Sequence, residues 1–141
     1  MTIDTLPAAD AVRVESRLRP EQVSAALADA VALNADIAAR IVKYRAVIEG
    51  KVAGVATSGR NQTIATEALQ LRVLASLYGT AGQLNPAYWE RAKELKAESA
   101  DLIDDLTGSS ADVPSNVSGA ATLNTSRYAY DIGADSYIIN A

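Results

Sequence analysis

The sequence predicts an all-α fold, a small bundle of about four helices with a long extended C-terminal tail. Apolar residues recur at steps of three and four through most of residues 20–108, which is the spacing of one helix face. The chain has six tyrosines, one tryptophan and no phenylalanine, so a core must come mainly from Ala, Val, Leu and Ile. This composition favours packed helices, and 141 residues are the length of one domain.

The chain divides into three parts. Residues 1–19 form an N-terminal segment whose pattern allows a short helix after Pro7, residues 20–108 form the helical bundle, and residues 109–141 form the tail. We expect the bundle to begin at Arg19-Pro20, because the residue before a proline avoids the helical region and proline favours the first helical position.

The first part of the bundle carries an apolar stripe from Val23 to Val55. The stripe fits one long helix. It also fits two helices joined near Asn34-Ala35-Asp36, where Asn34 or Asp36 would cap the second.

Two further helices are predicted from their start and stop signals. Asn61 or Thr63 is expected to cap a helix that is apolar, and therefore buried, on two sides, and Gly79 is expected to end it. Asn85-Pro86 is expected to open the last helix, with Asn as the cap and Pro at the first position, and Gly108 to close it.

The apolar stripe of the last helix starts with Tyr88 and Trp89. We expect both to be core anchors, with stacking on a base or sugar as the alternative. Acidic pairs such as Asp104-Asp105 lie opposite the stripe, so a solvated helix face explains them better than a catalytic or metal site.

The composition excludes the commonest kinds of catalytic and metal site. The chain contains no cysteine and no histidine, and therefore no thiol or imidazole group and none of the usual zinc ligands. Its glycines form no phosphate-binding loop, because no Gly-Lys-Ser or Gly-Lys-Thr sequence occurs. We predict a protein that is not an enzyme and uses no cofactor and no metal.

Basic residues concentrate between Arg40 and Arg60, where Glu49 is the single acid. Arg40, Lys43 and Lys51 are expected on one helix face, which would present a positive stripe to phosphates of DNA or to an acidic partner. A solvated helix face is the alternative. The whole chain has a net charge of −4, so it has no general attraction for nucleic acid.

The tail has a different composition. It is rich in Ser, Ala, Asn, Gly and Asp, contains one base and shows no helical stripe, which predicts a segment that orders only on a partner. Aromatic and β-branched residues near its end are expected to form an interface: Tyr128, Tyr130, Ile132, Tyr137, Ile138 and Ile139.

Membrane contact is not expected. No stretch approaches the roughly 18 apolar residues that span a bilayer. Residues 1–10 carry two acids and no base, unlike a signal peptide. We expect the protein to be made and kept in a reducing, cytosolic setting, or assembled there.

The order of elements resembles the head-to-tail connector, or adaptor, proteins of tailed bacteriophages. A long helical region starts at Arg19-Pro20-Glu21, a Leu-rich helix ends in Leu77-Tyr78-Gly79, and the last helix opens with Asn85-Pro86-Ala87-Tyr88-Trp89-Glu90-Arg91-Ala92. The segment Tyr88 to Leu106 looks like that family's last helix, with an aromatic start before alternating charged and Leu/Ile residues. The stretch Val23 to Ile48 looks like its long first helices.

The resemblance covers about residues 20–108 and implies a structural virion protein of the phage neck, assembled in the host cytoplasm. It implies a homo-oligomeric ring of about twelve copies beneath the portal protein ring, with a tail-side neck or stopper protein on the other side. Double-stranded DNA would pass through the lumen without specific binding, and the tail would clasp the portal or a neighbouring subunit. The alternative is a small helical nucleic-acid-binding regulator or DNA-packaging factor that uses Arg40 to Arg60 as its footprint.

Overall fold

The computed structural model describes residues 1–111, and in them the all-α prediction is confirmed. Two short helices precede three long ones. The elements of this part of the chain are α1 (Ala9–Ser16), α2 (Pro20–Val23), α3 (Ala30–Lys51), α4 (Gly59–Leu84) and α5 (Tyr88–Ala111).

The central helix is α4. Helices α1, α2 and α3 pack against it, and the Ser99 hydroxyl of α5 donates a hydrogen bond of 2.7 Å to the carbonyl of Ala68. Its buried residues lie almost all round the helix: Ala65, Ala68, Leu69, Val73, Leu74, Ala75, Leu77, Ala81 and Gly82. The prediction that this helix is buried on two sides is confirmed.

The first long helix begins later than the sequence predicts. Helix α2 ends after one turn, and α3 starts behind the N-cap Asp29, whose carboxylate accepts a hydrogen bond of 2.9 Å from the Ala32 N–H. The predicted joint near Asn34-Ala35-Asp36 is therefore wrong, because these residues lie inside α3. The Asn34 side chain caps nothing and accepts a hydrogen bond of 2.7 Å from Arg13 of α1.

The predicted ends of α4 are also wrong. Ser58 caps this helix by accepting a hydrogen bond of 3.1 Å from the Asn61 N–H, so Asn61 and Thr63 lie within it. The helix continues through Gly79 to Leu84. A glycine that keeps helical backbone angles does not end a helix, and Ala81 and Gly82 beyond Gly79 are buried in the bundle.

The start of α5 is close to the predicted position. The Asn85 side chain accepts a hydrogen bond of 3.1 Å from the Ala87 N–H, and the helix proper begins at Tyr88. The predicted end at Gly108 is wrong, because α5 continues to Ala111. Gly108 does not adopt the left-handed conformation of a glycine cap.

The N-terminal segment, which the sequence sets apart from the bundle, packs into it. Helix α1 is the short helix after Pro7, and it contacts both α3 and α4. Ile3, Val12 and Leu18 are buried in the same core as the long helices. The first 19 residues therefore contribute to the folded unit.

Glu49 and Arg45 of α3 hold this segment at Ile3. The Glu49 carboxylate accepts a hydrogen bond of 2.8 Å from the Ile3 N–H, and the Arg45 guanidinium donates one of 2.9 Å to the Ile3 carbonyl. The two side chains pair with each other at 3.1 Å. The bond from Ile3 and the nearby Arg45 charge lower the pKa of Glu49 below its ordinary value, against the opposing effect of burial.

This shift of the Glu49 pKa predicts a pH-dependent stabilisation. A carboxylate whose pKa is lower in the folded state stabilises the fold above its unfolded pKa, and this is lost as the pH falls through the folded pKa. We expect Glu49→Gln to lower the free energy of unfolding at about pH 7 but to change it little at about pH 2, measured by urea unfolding.

Glu98→Gln on the exposed side of α5 is the matched control and should stay within about 0.5 kcal/mol of the unsubstituted protein at both pH values. If Glu49→Gln lowered the free energy of unfolding equally at both pH values, the carboxylate charge would not be the cause of the loss.

Trp89 is not the core anchor that its place in the stripe predicts, since its side chain is 49% exposed. Tyr88 takes the inward position and packs against the core, with its ring centre 5.7 Å from that of Tyr78. Trp89 therefore lies at the edge of the bundle, where its indole rests on Gly82 of α4. A Cβ added to Gly82 would lie 1.9 Å from Trp89 Cδ1.

This contact predicts opposite effects for two glycines of α4. Gly82→Ala should lower the free energy of unfolding by about 1–3 kcal/mol, because the new methyl group displaces the indole. Gly79→Ala, whose Cβ would meet no atom within 4 Å, should raise it by up to about 1 kcal/mol through helix propensity. Urea unfolding of both variants measures the difference.

In a Trp89→Ala background, Gly82→Ala should lose most of its cost, because the clashing side chain is gone. Similar effects of the two glycine substitutions in the unsubstituted chain would contradict the contact.

Candidate functional site

A polar groove lies between α3, α4 and α5. It consists of two adjoining depressions, of about 280 and 310 Å³, which share Tyr44 and Ser76. We call it the Tyr44 groove. The first depression is lined by Asp36, Ala39, Arg40, Lys43, Tyr44 and Ser76. The second is lined by Tyr44, Arg72, Ala75, Ser76, Gly79, Thr80, Gln83, Ala92, Lys93 and Lys96.

Arg40 lies in the floor of this groove and not on an outer positive stripe. Its Nε pairs with Asp36 at 2.7 Å, and its Nη1 donates to the hydroxyls of Ser76 and Thr80 at 2.5 and 3.1 Å. Only 18% of the side chain is exposed. The two Nη1 bonds join α3 to α4, whereas the pair with Asp36 lies within α3. The prediction places Arg40 on a face towards a partner or the DNA channel, and the structure places its head group against these neighbours.

Tyr44 is surrounded by positive charge. Arg72 Cζ lies 4.4 Å and Lys43 Nζ lies 5.3 Å from the centre of its ring, which are cation–π distances. The hydrogen bond with Ser76, then the charges of Arg72, Lys43 and Arg40, lower the pKa of Tyr44 below its ordinary value, against the opposing effect of burial. The hydrogen bond is the largest of these causes, and the three charges act in the same direction.

Most cations of the groove have no acidic partner. Lys43, Arg72 and Lys96 make no salt bridge with any residue that the structure describes. Lys93 lies 3.6 Å from Glu90, and both side chains are exposed. The groove therefore presents three positive groups that have no acidic partner within residues 1–111, one from each long helix.

Lys51, the third member of the predicted stripe, does not line the groove. It is exposed in the last turn of α3. The structure thus brings Lys43 to the groove beside Arg40 and leaves Lys51 outside.

Two cations of the groove, Arg72 and Lys96, are not among the residues that the sequence pattern singles out. Arg72 stands between Leu71 and Val73 in a strongly apolar helix, and a base in such a place is a signal that its head group reaches the edge of the core. Lys96 offers no comparable signal, because it is one of many charges along α5.

A second surface lies on the side of α3 that faces away from the core. Val31 and Val42 are 75% and 68% exposed, and the alanines between and beyond them on this side are exposed as well. We call it the outer α3 face: Val31, Ala35, Ala38, Val42 and Ala46. These five residues carry no charge and extend over about 22 Å of helix.

The predicted interface residues of the tail, Tyr128, Tyr130, Ile132, Tyr137, Ile138 and Ile139, lie outside the described residues. Within residues 1–111, no group of three or more acidic side chains is arranged to hold a metal ion. None of the helices in that range combines the length and apolar character needed to cross a bilayer.

Comparison of the chain with protein-family models, with curated proteins and with solved structures finds no match. Functional interpretation therefore rests on the two surfaces described above and on the resemblance in the order of the helices.

Proposed function

We propose that the protein is an adaptor in the neck of a tailed bacteriophage, where copies arranged in a ring dock beneath the portal protein and continue the DNA channel towards the tail. The outer α3 face carries this proposal. Its exposed valines and lack of charge suit packing against another protein, because no ion loses its water when the face is covered. In the ring, each copy covers this face of its neighbour.

The order of the helices supports the proposal. A long α3, a buried α4 and a last helix that opens with Tyr88 and Trp89 follow one another in the order that resembles the adaptor proteins. Because helical bundles serve many functions, this resemblance alone would not name one. The exposed, uncharged outer α3 face is the second observation that supports the adaptor proposal.

A ring requires a heterologous contact, in which one surface of each copy meets a different surface of the next. The outer α3 face occupies one side of one helix. If the outer α3 face of one copy packed against the same face of a second copy, the two would form a closed dimer. The mass of the assembly therefore distinguishes a ring from a simple pair.

The remaining parts of the chain have roles in this proposal. The tail clasps the portal or a neighbouring subunit through its aromatic and β-branched end. A tail-side neck or stopper protein binds the opposite side of the ring. A net charge of −4 suits a lumen through which DNA must pass without being held.

A nucleic-acid-binding regulator or packaging factor is the second candidate. The Tyr44 groove favours it, because three cations from three helices, none with an acidic partner in the described residues, are a surface for phosphates. Such a protein would bind DNA without associating with a portal ring.

Portal binding tests the adaptor proposal. Native mass spectrometry of the protein mixed with the portal ring of its phage should detect about twelve added copies. Ala38→Glu places a charge in the middle of the outer α3 face and should reduce the bound copies about tenfold or more, because the charge would be buried without a partner.

Ala97→Glu is the matched control, since Ala97 is also an exposed helical alanine but lies on α5, and it should bind normally. Normal binding of Ala38→Glu would remove the role of the outer α3 face. Absence of binding by the unsubstituted protein would overturn the adaptor proposal.

The tail has a separate test. A chain that ends after Ala111 retains all helices of the described region, and it should keep its helical circular dichroism while losing most of its affinity for the portal. Unfolding of the shortened chain would place the tail in the core. Undiminished portal binding would show that the tail is not the clasp.

A further inference from the structure

The Tyr44 groove holds more positive charge than its neighbours neutralise. Lys43, Arg72 and Lys96 reach it from α3, α4 and α5, and no salt bridge joins them to the described part of the chain. Asp36, the carboxylate in its lining, is already paired with a base at 2.7 Å. Glu90, on the α5 side, lies 3.6 Å from a second base, Lys93. Both acids are therefore engaged with cations other than these three.

Packing orients part of this charge. The Arg72 guanidinium lies 4.4 Å from the centre of the Tyr44 ring, and a guanidinium on an aromatic face keeps its N–H groups available for an oxyanion in its own plane. Arg40 fixes the other side of the groove through Ser76 and Thr80. A bound anion would meet a surface whose floor is already held in place.

From this arrangement we infer that the Tyr44 groove binds the sugar-phosphate backbone of DNA, with Lys43, Arg72 and Lys96 contacting phosphates. Arg40 is a positioning residue, because its Nε and Nη1 groups are bonded to Asp36, Ser76 and Thr80 in the floor of the groove. The inference goes beyond the adaptor proposal. It assigns the residues that meet DNA and holds whether or not the protein docks on a portal.

The distribution of the cations favours a chain of phosphates over a single phosphate ion. Lys43 lines the first depression beside Tyr44, whereas Arg72 and Lys96 line the second, so the charges are divided between two adjoining depressions. This division matches a strand that carries a charge at every nucleotide.

An exposed aromatic side chain lies near the groove, although it does not line either depression. Trp89 rests on Gly82, which precedes the groove residue Gln83, and it lies one turn before Lys93 on α5. About half of its surface is exposed. An aromatic side chain beside a basic groove stacks on unpaired bases, so Trp89 would add to the binding of a single strand and not of a duplex.

Contacts to about three phosphates predict weak, sequence-independent and salt-sensitive binding. The logarithm of the association constant should fall with the logarithm of the salt concentration with a slope of about −2.7 for a duplex. Binding of this kind does not stop DNA from moving past the protein, because such contacts allow sliding along the backbone.

Fluorescence anisotropy of the full-length protein with two labelled duplexes of unrelated sequence tests the inference at low and intermediate salt. Lys43→Gln/Lys96→Gln should bind both duplexes about tenfold or more weakly, and the salt slope should fall by about two units. The control Lys51→Gln/Arg60→Gln removes the same charge from exposed positions outside the groove and should change the affinity less than about threefold.

The outcomes separate the explanations. Equal losses in the two double variants would show that net charge alone acts, and no duplex binding at low salt would overturn the inference. Polyglutamate that displaces DNA at matched charge would assign the groove to an acidic protein partner. The portal binding of the Lys43→Gln/Lys96→Gln variant separates a failure of this inference from a failure of the adaptor proposal. Portal binding depends on the outer α3 face, so this variant should still bind the portal ring even if the groove does not bind DNA.

Discussion

The burial of α4 on nearly all sides is the constraint on which the other helices depend. Small residues on this helix, such as Ala68, allow its neighbours to come close enough for the Ser99 hydroxyl to reach a backbone carbonyl at 2.7 Å. Polar groups on α4 must then be satisfied by neighbouring helices, because little of the helix meets water. The Tyr78 hydroxyl donates to the Ser16 carbonyl at 2.6 Å, and Ser76 accepts from Arg40.

Arg40 shows how this constraint shapes the groove. A guanidinium that is 18% exposed needs partners for its donors, and Asp36, Ser76 and Thr80 supply them. Because Asp36 is committed to Arg40, it does not neutralise the cations above it. The packing requirement of α3 on α4 thus leaves Lys43, Arg72 and Lys96 available to an external anion.

The all-α class and the central, two-sided burial of α4 could be predicted from the apolar spacing, because that spacing directly reflects which faces are covered. Helix ends could not be placed to the residue. Gly79 and Gly108 look like stop signals, yet a glycine ends a helix only where the chain needs a left-handed residue, which depends on the packing beyond it.

The candidate sites show the same division. Lys43 could be singled out from the local charge pattern on one helix, whereas Arg72 and Lys96 come from elements distant in sequence, whose meeting depends on tertiary packing. Arg40 belongs to the same pattern as Lys43 but lies in the floor, and Trp89 lies at the edge because Tyr88 takes the inward position. In both pairs, Arg40 with Lys43 and Tyr88 with Trp89, the sequence pattern places the two residues on the same face. The packing of neighbouring helices determines which of the two is more buried.

The two candidate surfaces lie on adjacent sides of one helix. Ala39 lines the Tyr44 groove, and the next residue back, Ala38, belongs to the outer α3 face. A subunit that covered the outer α3 face would therefore lie beside the groove. In a ring built through this contact, every copy would present its groove at the same place relative to the next. Weak phosphate contacts would then recur around the DNA at regular angles, which would centre the duplex without holding it at any one sequence.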